Sequence, residues 1–130
     1  MKAVKINLAG REQYLAFTGE AMFQIQEKFG GASELIEKMK GGSREAFSAT
    51  YEAAAILAEQ GELARRYLGY ESSPMVSAEQ IAATTTPGEV IKITLAVSSA
   101  IALGYGREIQ EESDEVDLGL AELNAQKKTT

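Results

Sequence analysis

The residues of this chain that are able to do chemistry are nearly all carboxylates. There are 19 Asp and Glu against 13 Lys and Arg, with no His and no Cys. The two absences remove the commonest general base, the commonest transition-metal ligand and every thiol mechanism. Carboxylates alone hydrolyse glycosides when two of them share a pocket. Here Glu12, Glu20, Glu27, Glu34, Glu37, Glu45, Glu52, Glu59 and Glu62 fall instead on the polar faces of predicted helices. Gly104-Tyr105-Gly106 opens like a dinucleotide fingerprint, but Ile109 stands where the third glycine belongs, and the segment ends a helix rather than starting one after a strand. Setting Gly119 at the invariant glycine of a calcium loop puts Asp114, Val116 and Leu118 at the first three ligand positions, and two of these cannot coordinate. There is no phosphate-binding loop, no Ser-x-x-Lys and no Gly-x-Ser-x-Gly. The expectation is a protein that is not an enzyme and that needs no cofactor and no metal.

Binding is the remaining chemistry. Tyr67 and Tyr70 follow Arg65-Arg66 and precede a Ser/Pro loop, and Tyr and Arg are enriched at binding hot spots. Core packing is the competing reading for both tyrosines. Beyond an acidic block that runs from Glu108 to Asp117, the chain regains apolar character at Val116, Leu118, Leu120 and Leu123. The last four either bind a partner or dock back on the domain, and with the two tyrosines they are the candidate partner-binding positions.

Charge narrows the partner. A net charge of −6, with only the separated basic doublets Arg65-Arg66 and Lys127-Lys128, speaks against nucleic acid and anionic membranes. The longest uncharged apolar stretch, 14 residues between Lys92 and Arg107, falls short of the ~20 that span a bilayer. No signal-peptide pattern opens the chain. The expected location is the cytoplasm.

Placing these residues requires the elements. With 130 residues and 45% apolar content, the chain suits one domain with its own core. The fold class expected is mainly α: a helical bundle over residues 1–106 with a short N-terminal β-hairpin, then a flexible acidic tail over 107–130. Val4, Ile6 and Leu8 alternate with polar or small neighbours, a turn follows at Ala9-Gly10-Arg11-Glu12, and Gln13 to Phe17 resumes the extended pattern. Thr18, Ser33, Ser43 and Ser77 are placed as N-caps, and Thr86-Pro87-Gly88-Glu89 is a strong helix start. Gly30-Gly31, Gly41-Gly42 and Gly61 read as helix ends, which splits the middle of the chain into helices over about 34–40, 44–60 and 62–68. Phe47, Tyr51, Ala54, Ala55 and Ala58 mark one face of the longest of these. The helix after Pro87 has almost no polar face, so it is either a buried core helix or a subunit interface, and self-association is expected from it.

At these residues the chain resembles the tail assembly chaperones of long-tailed bacteriophages and prophages. The likeness is carried by Ile6-Asn7-Leu8-Ala9-Gly10-Arg11-Glu12-Gln13-Tyr14-Leu15-Ala16-Phe17-Thr18, by the Phe29-Gly30 pair and by the segment from Glu115 to Leu123. The resemblance implies a non-catalytic protein that coats the long helical tape measure protein, keeps it soluble while the tail tube polymerises, and is absent from the finished virion. It also implies a longer product made by −1 frameshifting. Gln126-Lys127-Lys128 can be encoded as CAA-AAA-AAG, which contains a slippery heptamer, and the extended form would reach tail tube subunits. The alternative in a different class is a structural tail completion or connector subunit that stays in the particle.

Overall fold

The computed structural model describes residues 1–107 and 115–119. The chain is mainly helical, as its patterning predicts. Strands β1 (Lys2–Leu8) and β2 (Arg11–Leu15) pair antiparallel, with Leu8 opposite Arg11 and Val4 opposite Leu15. Ala9 and Gly10 join them at φ 53° and 76°. Two successive left-handed residues match the twist of the strands they connect, which favours glycine at such positions.

Helix α1 (Gly19–Phe29) starts at Thr18, whose hydroxyl accepts the Ala21 amide at 3.1 Å, and stops at left-handed Gly30. Helix α2 (Ala32–Lys38) begins slightly earlier than its sequence suggests, with Gly31 rather than Ser33 as its cap. Helix α4 (Ala78–Thr84) carries the expected capping box, in which Gln80 and Ser77 exchange bonds of 2.9 and 3.1 Å. Helix α5 (Pro87–Gly104) opens where Thr86 donates its amide and hydroxyl to Glu89.

Helix α3 (Arg44–Tyr67) departs from expectation because it runs unbroken through Gly61. The glycine answers a packing demand and not a termination demand. A Cβ built at Gly61 would lie 1.6 Å from the backbone oxygen of Tyr14. Helix α3 therefore presses directly on β2, and the Ala16 amide donates to the Leu57 carbonyl at 3.1 Å. The buried face of α3 is also turned by about one residue from the expected one. Ala46, Ala49, Thr50, Ala53, Ala54, Leu57 and Ala58 are buried, and Phe47 and Tyr51 lie at its margin. Small side chains at the contact admit the neighbouring elements, and α5 is linked to α3 through the Thr50 and Thr94 hydroxyls at 3.3 Å.

The acidic stretch expected to form a flexible tail contributes a third strand. β3 (Glu115–Asp117) pairs antiparallel with β1, so that the sheet order is β2-β1-β3. The boundary expected at residue 106 thus does not separate 115–119 from the fold. The physical reason is strand alternation. It sends Val116 and Leu118 toward a small cluster with Ala3, Ala16, Tyr14 and Tyr70. Glu115 and Asp117 go the other way, where Lys2 and the Met1 amine meet them at 3.4 and 3.0 Å. Among the described residues no carboxylate is buried unpaired. Residues 108–114 and 120–130 lie outside the described residues.

The main core gathers Leu8, Leu15, Ile25, Leu35, Leu57, Ile81, Val97 and Ile101 from β1, β2 and all five of these helices. The cluster around Tyr70 covers the opposite face of the sheet.

Candidate protein-binding surface

A buried charge knot shapes one end of the molecule. Glu62 is 4% exposed. Its carboxylate accepts Arg65 Nη1 at 2.6 Å, Arg66 Nε at 2.8 Å and the Ser73 amide at 2.7 Å. Arg65 also lies over the rings of Tyr14 and Tyr70, 5.2 and 5.0 Å from their centroids. Both arginines donate onward to loop carbonyls, Arg65 to Glu71 and Arg66 to Ser73. The knot ties the loop after α3 back onto the helix, and it sets Tyr70 so that its hydroxyl donates to the Leu118 carbonyl at 2.7 Å. Burial lifts the Tyr70 phenol above its ordinary pKa, which keeps it protonated as that donor.

The six candidate positions separate in space. Tyr67 is 91% exposed on the last turn of α3. Tyr70 and Leu118 are 2% and 1% exposed, so they are interior packing partners and cannot serve as a docking face. Val116 is half-buried beside them. Their pairing is non-local, so the pattern along the chain leaves packing and partner binding both open, and the structure shows packing. Leu120 and Leu123 lie outside the described residues.

Tyr67 stands at the edge of an apolar groove of about 470 Å³ lined by Met1, Leu63, Ala64, Tyr67 and Leu68, with Thr18, Glu20 and Gln60 along its rim. Phe23, itself exposed, is placed one turn on from Glu20. A second groove of about 350 Å³ runs between α5 and the turn after α2. Its walls include Met39, Phe47, Val90, Ile91 and Leu95. Ile91 and Leu95 are 66% and 55% exposed and four residues apart, a helix-surface pair. Sequence reasoning missed them because an all-apolar helix gives no phase from which to tell its outer face. Lys92, between the two, was the available signal.

Among the described residues, α5 is the one helix long and apolar enough to cross a membrane, at 18 residues and mean hydropathy 1.3. Its other face, with Val90, Ile93, Val97, Ile101 and Leu103, is buried in the protein. Among the described residues no three metal-ligating side chains converge. The arrangement leaves two apolar grooves open at the surface.

Asp117 fastens the strand that closes this end. The Gly119 amide and then the Met1 amine hold its carboxyl below the usual Asp value. A depressed folded-state pKa contributes stability above the unfolded value, about 3.9 for Asp, and that contribution is lost as pH falls through the folded value. Acidification through and below that range should therefore release β3 from β1. The Leu118 methyl resonances should move toward solvent-exposed positions, and in Asp117→Asn they should do so already at neutral pH. Unchanged Leu118 shifts in the variant would show that the carboxylate does not hold the strand.

No family model, curated protein or solved structure matches the chain.

Proposed function

We propose that the chain is a non-catalytic binding protein that covers the apolar face of a helical partner, and that this partner is a phage tape measure protein during tail assembly in the host cytoplasm. The observation that carries the reading is the pair of apolar grooves, one at Tyr67 and one at Ile91 and Leu95. Amphipathic helices dock in such grooves through apolar anchors spaced three or four residues apart. A net charge of −6 keeps a protein with exposed apolar side chains in solution, and the resemblance of Ile6 to Thr18 and of Glu115 to Leu123 to the chaperone family supplies the partner. A longer frameshifted form would add a contact with tail tube protein. Self-association through the Ile91–Leu95 face is part of the same proposal.

The test is binding of this chain to helical segments of tape measure protein by calorimetry, with co-expression as a solubility readout. Tyr67→Ser and the pair Ile91→Asp with Leu95→Asp should each weaken binding at least tenfold, about 1.4 kcal/mol. Because all three side chains face solvent, the melting temperature should stay nearly unchanged, as exposed substitutions are usually worth within ~0.5 kcal/mol. Equal affinity in wild type and variants would rule out both grooves. Detection of the chain in purified virions would favour a connector subunit instead.

A further inference from the structure

The groove at Tyr67 has a continuation along helix α3. Leu63, Tyr67 and Leu68 line the groove, with Glu20 of α1 on its rim. A second depression, of about 400 Å³, begins one residue earlier on the same helix, where Ile56 and Glu59 face Met75 and Ala78. Glu52, Ile56, Glu59, Leu63 and Tyr67 recur at intervals of three or four residues, so they form one stripe, and none of them is buried. The stripe is ~22 Å long, room for about four turns of another helix. Helix α1 runs antiparallel beside it: the Thr18 hydroxyl donates to Gln60 at 2.9 Å, and Lys28 meets Glu52 at 3.7 Å. The solvent face of α1 adds exposed Phe23, and Glu27 falls on the same face as Glu20, seven residues on. The charges left over on this surface have one sign. Lys28, Arg66 and the Met1 amine are matched within the chain by Glu52, Glu62 and Asp117. Among the described residues Glu20, Glu27 and Glu59 are in no ion pair.

We infer that the α1–α3 surface selects a basic amphipathic helix, one whose apolar anchors repeat every three or four residues and whose flanks carry Lys or Arg. Ile56, Leu63, Tyr67 and Phe23 supply the contact with the anchors, as a groove does for an amphipathic helix. Glu20, Glu27 and Glu59 meet the cations at the rim. Opposite charges speed the encounter, and an acidic helix is turned away because like charges would face each other. The inference rests on the reading that the Tyr67 groove binds a helix, and it adds the charge of that helix. The groove at Ile91 and Leu95 is no part of it.

The probe is a designed helix of about four turns with a leucine seam, lysines on both flanks and one Trp. The chain has no Trp, so the emission of the probe is read alone. At low salt the lysine helix should bind at least tenfold tighter than the same helix with glutamate flanks, and added salt should narrow the gap by screening the rim. Glu20→Gln with Glu59→Gln should weaken the lysine helix several-fold and leave a glutamine-flanked helix unchanged, which also shows that the surface is intact. Glu45→Gln with Glu89→Gln removes as much charge away from this surface and should alter neither affinity, which separates the rim from the net charge of −6. Equal binding of the lysine and glutamate helices, equal losses in the two double variants, or no binding of any of these helices would overturn the inference. The two readings fail separately. Tape measure segments that bind, lose affinity in Tyr67→Ser and show no preference for basic flanks would keep the helix-binding reading and end this one. A lysine helix that binds at the rim while tape measure segments do not bind would do the reverse.

Discussion

Gly61→Ala is expected to be among the most damaging substitutions in the chain, although alanine is the best helix former and position 61 is inside a helix. In an ordinary helix interior this change gains about 1 kcal/mol. Here the added carbon would sit 1.6 Å from the Tyr14 oxygen and 2.7 Å from its carbonyl carbon, so either β2 or α3 must move. Both are held, since the Ala16 amide is bonded to the Leu57 carbonyl one turn earlier and α3 fills the middle of the core. A loss of more than about 4 kcal/mol is expected, in the range reserved for such steric failures. Gly88→Ala serves as the control, because a Cβ there meets nothing within 4 Å and the site is in the first turn of α5. Urea denaturation of the two variants checks this. A stabilised Gly61→Ala protein would show that the helix-to-strand contact is looser than described.

Glu62→Ala is expected to have a comparable effect by a different route. The substitution removes three hydrogen bonds and leaves the guanidinium of Arg65, whose side chain is 12% exposed, without its counter-charge. Removing one partner of a buried ion pair costs about 3–5 kcal/mol, mostly from the charge left behind. Glu62→Gln keeps the shape and part of the bonding, so it should fall between. The damage should also travel. With the loop at 69–76 untied, Tyr70 loses its fixed position, and the amide of Leu118 should exchange faster than in the parent chain. A variant that melts lower but keeps Leu118 protected would separate the knot from the strand.

What could be read along the chain was what is decided locally. Thr18, Ser43, Ser77 and Thr86 cap helices because a side-chain oxygen meets an amide two or three residues away, and that relation is written in the sequence itself. The Ala9-Gly10 turn is local in the same sense. Gly61 was misread because its partner, Tyr14, is far away in sequence, and a glycine that admits a neighbouring backbone looks the same as one that ends a helix. β3 escaped notice because three residues carry little periodicity, and because Glu115 and Asp117 resemble a solvated acidic run until Lys2 and the Met1 amine are placed beside them. In the candidate site, Tyr67 follows Arg65 and Arg66 in sequence and is exposed. Tyr70 shared that context, yet it turns inward because the knot turns it.

The central strand of the sheet is made well before one of its two neighbours. Val4 finds Leu15 almost at once, but its other partner is Glu115. At synthesis rates of about 5–20 residues per second, roughly 5 to 20 s separate these two partners on the ribosome. During that interval β1 offers an unpaired row of amides and carbonyls at its open side, the arrangement that invites another chain to add a strand. Lys2 and Lys5 on β1 are charges of the kind that discourage such addition. The nascent protein is thus exposed to misassembly until β3 is made, and any slowing of the ribosome between the codons for Gly104 and Glu115 would lengthen that window.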